Sequence, residues 1–145
     1  MTDQAKAQGV IAHLVVRDAA AALEFYKNGL GATETMRLPA EDGKRIMHSE
    51  IQLNGARVFV RDHFPEHCTA NGGHRQGPPD ELGGTPVSMH LEVPNCDDAF
   101  NRATAAGAEV TMAPMDAFWG ARFAQVVDPF GHAWSFAHPL QGGQG

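Results

Sequence analysis

Alternating apolar and polar positions predict short strands along the chain, and two amphipathic stretches predict helices. The first half opens with "VIAHLVV", which alternates as a strand does, and continues into "AAAALEFYKNG". In that segment Ala22, Phe25 and Tyr26 follow helical spacing and form one apolar face. Asp18 is suited to the N-cap of this helix, and Gly29 to its C-terminal end.

Three further strands are predicted after this helix. "ATETMRL" is the first, and "KRIMHSEIQL" and "ARVFVRD" follow as a pair joined by Asn54-Gly55, a strong hairpin signal. The first half of the chain is therefore predicted to have the order βαβββ.

The second half repeats the first. "HLVV" at 13–16 recurs as "HLEV" 77 residues later, and "GKR" at 43–45 recurs as "GAR" at the same offset. "GATETM" recurs as "GAEVTM" 76 residues later, and "NGARVFV" falls opposite "GHAWSFA". Four collinear matches indicate two similar modules, since a single short match would be a common coincidence.

The predicted fold class is α+β, with two tandem βαβββ modules. A Gly- and Pro-rich stretch without periodicity separates them, and it is either a plain linker or a lid over a binding site. The predicted divisions are an N-terminal tail at 1–9, the first module at 10–62, the connecting loop at 63–86, the second module at 87–138 and a disordered tail at 139–145.

Composition narrows the class of protein. The formal net charge of −6 argues against nucleic-acid binding, which requires a basic surface. Cys68 and Cys96 are the two cysteines and form no CxxC motif, so a reducing compartment is the simpler interpretation. No apolar run reaches the ~18 residues of a membrane span. The sequence predicts a soluble, cytoplasmic protein.

Several segments together resemble one superfamily. "HLVVRDAAAALEFYKNGLGA", "GGTPVSMHLEV" and "AFWGARFAQVVDPFGHAWSFAH" are similar to the vicinal oxygen chelate proteins, the glyoxalase/bleomycin-resistance/dioxygenase group. Within that group they resemble the glyoxalase-like, demethylubiquinone-methyltransferase-like branch. The resemblance implies that the modules form a curled mixed sheet around a cavity, and that a homodimer completes such cavities. It does not specify a reaction, because the superfamily includes both metal-dependent enzymes and metal-free binding proteins.

The resemblance also locates the metal ligands of the enzymes on this sequence. The two histidine positions fall on Ile11 and Ser88, and the two glutamate positions on Val58 and Ser135. Isoleucine and valine cannot coordinate a metal ion, and neutral serine hydroxyls are poor ligands for a divalent cation. The prediction is therefore a site without a metal or other cofactor.

A shifted metal site is the alternative. His13 and His90 lie two residues along from the lost ligand positions, so strand alternation points them toward the same cavity, and Glu92 shares their face. Two histidines and a carboxylate can bind iron or zinc, which would support a lyase, isomerase or dioxygenase. Residues two apart along a strand are ~6.6 Å apart, a large shift for a metal centre. A third possibility is metal-free acid–base catalysis by a cavity histidine.

The leading hypothesis is a metal-independent protein that binds a small aromatic and polar molecule, such as an antibiotic or a metabolite. Trp119 and Arg122 are placed near the rim of the cavity, where Arg122 either binds a carboxylate or forms a structural ion pair. The predicted ligand-binding residues are Ile11, His13, Val58, Ser88, His90, Ser135, Trp119 and Arg122. The predicted partners are this ligand and a second copy of the chain, with no nucleic acid and no membrane.

Overall fold

The computed structural model describes residues 8–68 and 76–140, and it confirms the α+β fold with two βαβββ modules. The first module contains β1 (His13–Val16), α1 (Ala19–Leu30), β2 (Thr33–Pro39), β3 (Ile46–Leu53) and β4 (Ala56–Asp62). The second contains β5 (Ser88–Glu92), α4 (Cys96–Ala105), β6 (Glu109–Asp116), β7 (Ala121–Val127) and β8 (Ala133–Pro139). Two single-turn helices, α2 (Pro65–Cys68) and α3 (Pro79–Leu82), lie between the modules.

Each module forms one mixed four-stranded sheet with the same topology. The strand orders are β1-β4-β3-β2 and β5-β8-β7-β6. The first strand of each module pairs in parallel with the last, and the other pairs are antiparallel. The βα crossover makes the parallel pair possible, because a parallel connection needs a long return path.

The first helix begins where the sequence predicts and ends two residues later than predicted. The Asp18 side chain accepts a hydrogen bond from the backbone N–H of Ala21 at 3.1 Å, as an N-cap residue does. The left-handed residue that ends α1 is Gly31, with φ of 77°, rather than Gly29. Gly29 is instead buried, and a Cβ added there would lie 3.0 Å from that of Ala106, just beyond α4. This glycine therefore permits close packing of the two modules.

The two sheets are joined through their helices. α1 packs against α4, and each helix also packs on its own sheet. The shared core includes Leu23 and Tyr26 from α1, Ala103 from α4, and Trp134 and Phe136 from β8.

The faces of the sheets turned away from the helices carry apolar side chains that remain exposed. Met36 and Leu38 lie on this open face of the first sheet, and Met112 and Met115 on that of the second. The relative exposures of these four side chains are between 37% and 51%.

A buried carboxylate connects the modules directly. Asp128, in the β7–β8 turn, accepts hydrogen bonds from the Tyr26 hydroxyl at 2.7 Å and the Trp134 indole N–H at 2.9 Å. Its other oxygen accepts the backbone N–H groups of Phe130 and His132. Tyr26 belongs to the first module, so this side chain fixes the turn and the module contact together. Burial and the adjacent Asp128 raise the pKa of Tyr26 well above its usual value.

The predicted boundaries can be compared with the structure only in part. Residues 1–7, 69–75 and 141–145 lie outside the described residues, and with them most of both tails and part of the connecting loop. β8 extends to Pro139, one residue into the predicted tail, and the Leu140 N–H bonds the Gly120 carbonyl at 3.0 Å. No helix among the described residues has the length and apolar character that crossing a membrane would require.

Replacing Tyr26 with phenylalanine is expected to destabilise the fold by about 1.5–3 kcal/mol, the usual range for a hydrogen bond to a charged group. The ring keeps its packing while Asp128 loses one donor. Urea unfolding of the variant and the parent measures the difference. Thr35→Val is the matched control, since its hydroxyl bonds the Glu50 carbonyl at an exposed site, and about 0.5 kcal/mol or less is expected. Equal effects of the two substitutions would contradict the assignment.

Candidate functional site

The open face of the first sheet holds one predicted site residue, His13, within an aromatic group. Its ring lies 5.5 Å from that of Phe59 and 5.6 Å from that of His48, both edge-on. Ile11 precedes β1 and is half-buried. Partial burial, Arg61 and His48 together lower the pKa of His13, in that order of importance.

The structure does not bring Val58 to this face. Val58 lies in the hydrophobic core and pairs with Ile51. The residue opposite His13 in the parallel ladder is Phe59, just as Ser135 is the residue opposite His90 in the second module. The two last strands are therefore related by an offset of 76, whereas the first strands are related by 77. A difference of one residue moves a side chain to the other face of a sheet.

The second sheet brings together three of the predicted residues. Ser88 and His90 share the open face of β5, and Ser135 lies beside them on β8. The Ser135 hydroxyl is 2.7 Å from the Nδ1 atom of His90, which makes a hydrogen bond. Ser135 is buried, whereas His90 is exposed, and the imidazole stacks on Phe123 at 6.2 Å with an angle of 17° between the rings.

A cleft of about 410 Å³ opens beside this pair, at the end where β5 leaves the sheet. Its polar groups belong to His90, Glu92 and His138, and its aromatic wall is formed by Phe123 and Trp119. The remaining lining residues are Val93, Ala121, Ala137 and Pro139. The combination of an aromatic wall and a few convergent polar groups is typical of small-molecule sites.

His138 contributes a fixed hydrogen-bond donor to the cleft. Its Nδ1 atom accepts the backbone N–H of Cys96, the first residue of α4, at 2.7 Å. A backbone N–H can only donate, so Nδ1 is unprotonated and the proton of the neutral ring is on Nε2. The contact therefore sets both the orientation and the tautomer of His138.

The two predicted rim residues differ in role. Trp119 lines the cleft, is 53% exposed and packs edge-on against Phe123 at 5.6 Å. Arg122 lies on the helix side of β7, where it forms ion pairs with Asp97 of α4 at 2.9 Å and with Asp116 of β6 at 3.0 Å. These contacts lower the pKa of Asp97. Arg122 is thus a structural ion pair, the alternative to a ligand clamp left open by the sequence.

The shifted metal site does not form within one chain. Residues 8–68 and 76–140 contain no group of three or more His, Cys, Asp or Glu side chains placed to bind a metal ion. His13 is on the first sheet and His90 and Glu92 are on the second, with the two helices packed between the sheets.

Sequence reasoning missed Phe59, Phe123 and His138 as site residues. The internal repeat contained a signal for one of them, because His138 stands at the position of Asp62 in the first module. Asp62 accepts the backbone N–H of Ala19, the first residue of α1, at 2.8 Å, as His138 does for α4. The equivalence was hidden by treating the last strands as related by 77.

Comparison with known proteins identifies the family. Residues 8–136 match the Glyoxalase/Bleomycin resistance protein/Dioxygenase superfamily. The chain belongs to this superfamily.

The relatives in sequence are uncharacterised. A protein of Mycobacterium bovis is 44% identical over 129 residues, which cover 89% of this chain and 82% of that protein. A protein of Mycobacterium tuberculosis has the same identity over 89% of this chain and 73% of its own length.

Solved structures share the fold. TioX from a Micromonospora species superposes with a TM-score of 0.69 at 28% identity, covering 92% of this chain and all of that one. A glyoxalase-related enzyme from Fulvimarina pelagi gives 0.70 at 21% identity, covering 90% of this chain and 87% of that one. The fosfomycin resistance protein FosX of Listeria monocytogenes gives 0.64 at 14% identity, covering 92% and 94%. The last two likenesses show the fold alone.

The side chains at the family's ligand positions do not fit a metal ion. Ile11 and Phe59 offer carbon atoms only, and Ser88 offers a neutral hydroxyl. The Ser135 hydroxyl is already hydrogen-bonded to His90. Divalent ions in such sites require carboxylate or imidazole ligands.

The lowered pKa of His13 predicts how its neighbours affect its titration. Arg61→Gln is expected to raise the pKa of His13 part of the way to its usual value, because a nearby positive charge is removed while burial remains. Proton NMR of the His13 ring as a function of pH measures the change. Arg57→Gln is the control, since Arg57 pairs with Glu50 on the same strand and does not contribute to this shift. An unchanged titration in Arg61→Gln would contradict the assigned cause.

Proposed function

We propose that this protein binds a small organic molecule, aromatic in part and polar in part, in the cleft beside β5, without a metal ion. One observation carries the proposal: the hydroxyl of Ser135, at the position of the family's metal-binding carboxylate, is hydrogen-bonded to His90 beside an aromatic wall. The bond leaves the Nε2 atom of His90 as the ring nitrogen able to contact a ligand.

The cleft supports this function chemically. The imidazole rings of His90 and His138 and the Glu92 carboxylate offer hydrogen bonds at one side, and Trp119 and Phe123 offer apolar surface at the other. Such a site orients a ligand by its polar end and takes most of its affinity from the burial of its apolar part. Sequestration of an antibiotic or a toxin, or binding of a metabolite, fits this arrangement. The proposal includes a reducing, cytoplasmic location, in keeping with the buried free thiol of Cys96.

We propose also that two copies associate through the open faces of their sheets. The exposed methionines and Leu38 on these faces support this, because an apolar surface of this kind is rarely left uncovered in a soluble protein. His13, Phe59 and Ile11 would then line the part of the cavity that faces the cleft of the second copy.

Ligand binding is tested by a thermal-shift screen of the full chain against antibiotics and aromatic metabolites. A ligand present at about 100 times its Kd is expected to stabilise the protein by about 2.7 kcal/mol. Trp119→Ala is expected to weaken binding about tenfold or more, because it removes the exposed half of the aromatic wall. Met36→Ala, a change to an exposed apolar side chain that does not line this cleft, is the control. A screen without any stabilising compound would leave the proposal refuted for those ligand classes.

Metal independence is tested by elemental analysis of purified, dialysed protein. No stoichiometric iron, zinc, nickel or manganese is expected, since the family's ligand positions hold no suitable donors. A stoichiometric metal that is lost in His13→Ala or His90→Ala would instead establish the shifted metal site, and with it the enzymatic alternative.

Association is tested by light scattering, which is expected to give twice the 15.5 kDa mass of one chain. Met115→Lys is expected to shift the population toward monomer, because it places a charge on the proposed interface. Glu24→Lys, a change to an exposed charge of α1, is the control. A monomer mass for the parent protein would refute the dimer.

A further inference from the structure

We propose that the ligand of this cleft is an organic cation, in which an ammonium group lies near the Glu92 carboxylate and against the rings of Trp119 and Phe123. The inference rests on the proposed binding function and specifies the ligand class. It is drawn from the charges of the cleft, the distribution of charge between the modules, and the aromatic wall.

The first step concerns Glu92. Its side chain lines the cleft, and among residues 8–68 and 76–140 it has neither an ion pair nor a hydrogen bond; its backbone carbonyl alone is bonded, to the Asn54 amide at 2.7 Å. The other polar lining residues are His90 and His138, which are uncharged at neutral pH in their ordinary state. The cleft therefore presents one uncompensated negative charge.

The second step concerns the basic residues that could neutralise it. Within the second module, 87–138, the sequence has two of them, Arg102 and Arg122, against six acidic residues. Arg102 donates to the Asn28 carbonyl at 3.0 Å, and Arg122 is held by Asp97 and Asp116. The first module, 10–62, has seven acidic and seven basic residues. Much of the protein's net negative charge therefore belongs to the module that contains the cleft.

The third step concerns the aromatic wall. The Trp119 ring is 53% exposed, and its contacts with Phe118 and Phe123 are both edge-on, at 88° and 73°. Edge-on contacts leave ring surface available, and an ammonium group is attracted to the face of an indole most strongly of all aromatic side chains. An aromatic face beside a free carboxylate is the arrangement that recognises an organic ammonium ion.

An anionic ligand does not fit this chemistry. A carboxylate or phosphate would approach Glu92 without a lysine or arginine among the lining residues to offset the repulsion. A neutral ligand would use the aromatic wall and leave the charge of Glu92 without a role. The volume of about 410 Å³ accommodates a small aromatic amine or a quaternary ammonium compound.

Three probes that share a benzyl or phenyl ring test the inference on the full chain: benzyltrimethylammonium, benzyl alcohol and benzoate. Nitrogen-resolved NMR of the two indole N–H groups reports the site, because Trp119 lines the cleft while Trp134 is buried and bonded to Asp128. The cation is expected to shift the Trp119 signal and leave that of Trp134 in place. Its Kd is expected to be at least about tenfold lower than those of the alcohol and of benzoate.

Two substitutions separate the charge of Glu92 from the charge of the module. Glu92→Gln is expected to raise the Kd of the cation about fivefold or more. Glu109→Gln removes an equal charge from exposed β6, outside the cleft lining, and is expected to change the Kd by less than about twofold. The parent-like NMR spectrum of each variant establishes that it is folded. An unchanged Kd in Glu92→Gln would overturn the inference.

The remaining outcomes distinguish this inference from the proposed function. Benzyl alcohol or benzoate binding as tightly as the cation, with the same shift of Trp119, would overturn the charge assignment and leave a small-molecule site in place. If none of the three probes shifts Trp119, the inference is refuted, and the broader thermal-shift screen decides the proposed function independently.

Discussion

The two modules depend on one buried carboxylate. Asp128 is 3% exposed, and both of its oxygens accept two hydrogen bonds, from the β7–β8 turn, from Trp134 and from Tyr26 of the other module. A buried carboxylate without partners would be strongly destabilising, so all four donors must be in place for the fold to tolerate it. That requirement fixes the turn, positions β8 and seats the second module against α1. With the helices packed between the sheets, the faces that carry the candidate site are left open.

The repeat shows how a structural position acquired a second property. Asp62 and His138 end the last strands of their modules, and each accepts the first backbone N–H of its helix, from Ala19 and Cys96. In the first module the second carboxylate oxygen bonds the Ile46 N–H, so Asp62 has no group left for a ligand. The imidazole performs the same capping contact with one nitrogen and keeps the other free. The cleft thus gains a donor of fixed tautomer from a residue whose first role is to start α4.

Periodicity and repeats were sufficient to predict the fold, while the site depended on a register that they left uncertain. The βαβββ order and the N-cap at Asp18 follow from local patterns, and the structure confirms both. Gly29 was predicted to end a helix because glycine favours left-handed ends, yet it serves the contact between modules, which no local pattern encodes. Val58 was assigned to the cavity through an offset wrong by one residue for the last strand, and alternation converts such an error into the opposite face. His90 and Ser135 were assigned to one face correctly, because the first and last strands of that module were aligned by their own motif.

Ser135 also explains why the family's carboxylate is not simply retained here. The side chain at this position is 4% exposed, and His90 is its hydrogen-bond partner. A glutamate in its place would put a negative charge into a nearly dry position, on the face of a module whose two arginines are both engaged elsewhere. In metal-binding relatives the ion offsets that charge, whereas the donors at the other ligand positions of this chain cannot hold one. A neutral hydroxyl paired with an imidazole satisfies the same buried position without a counter-ion. The change at residue 135 and the loss of the other ligands are therefore parts of one adjustment, and Glu92, at the exposed end of β5 where water solvates it, remains as the carboxylate of this site.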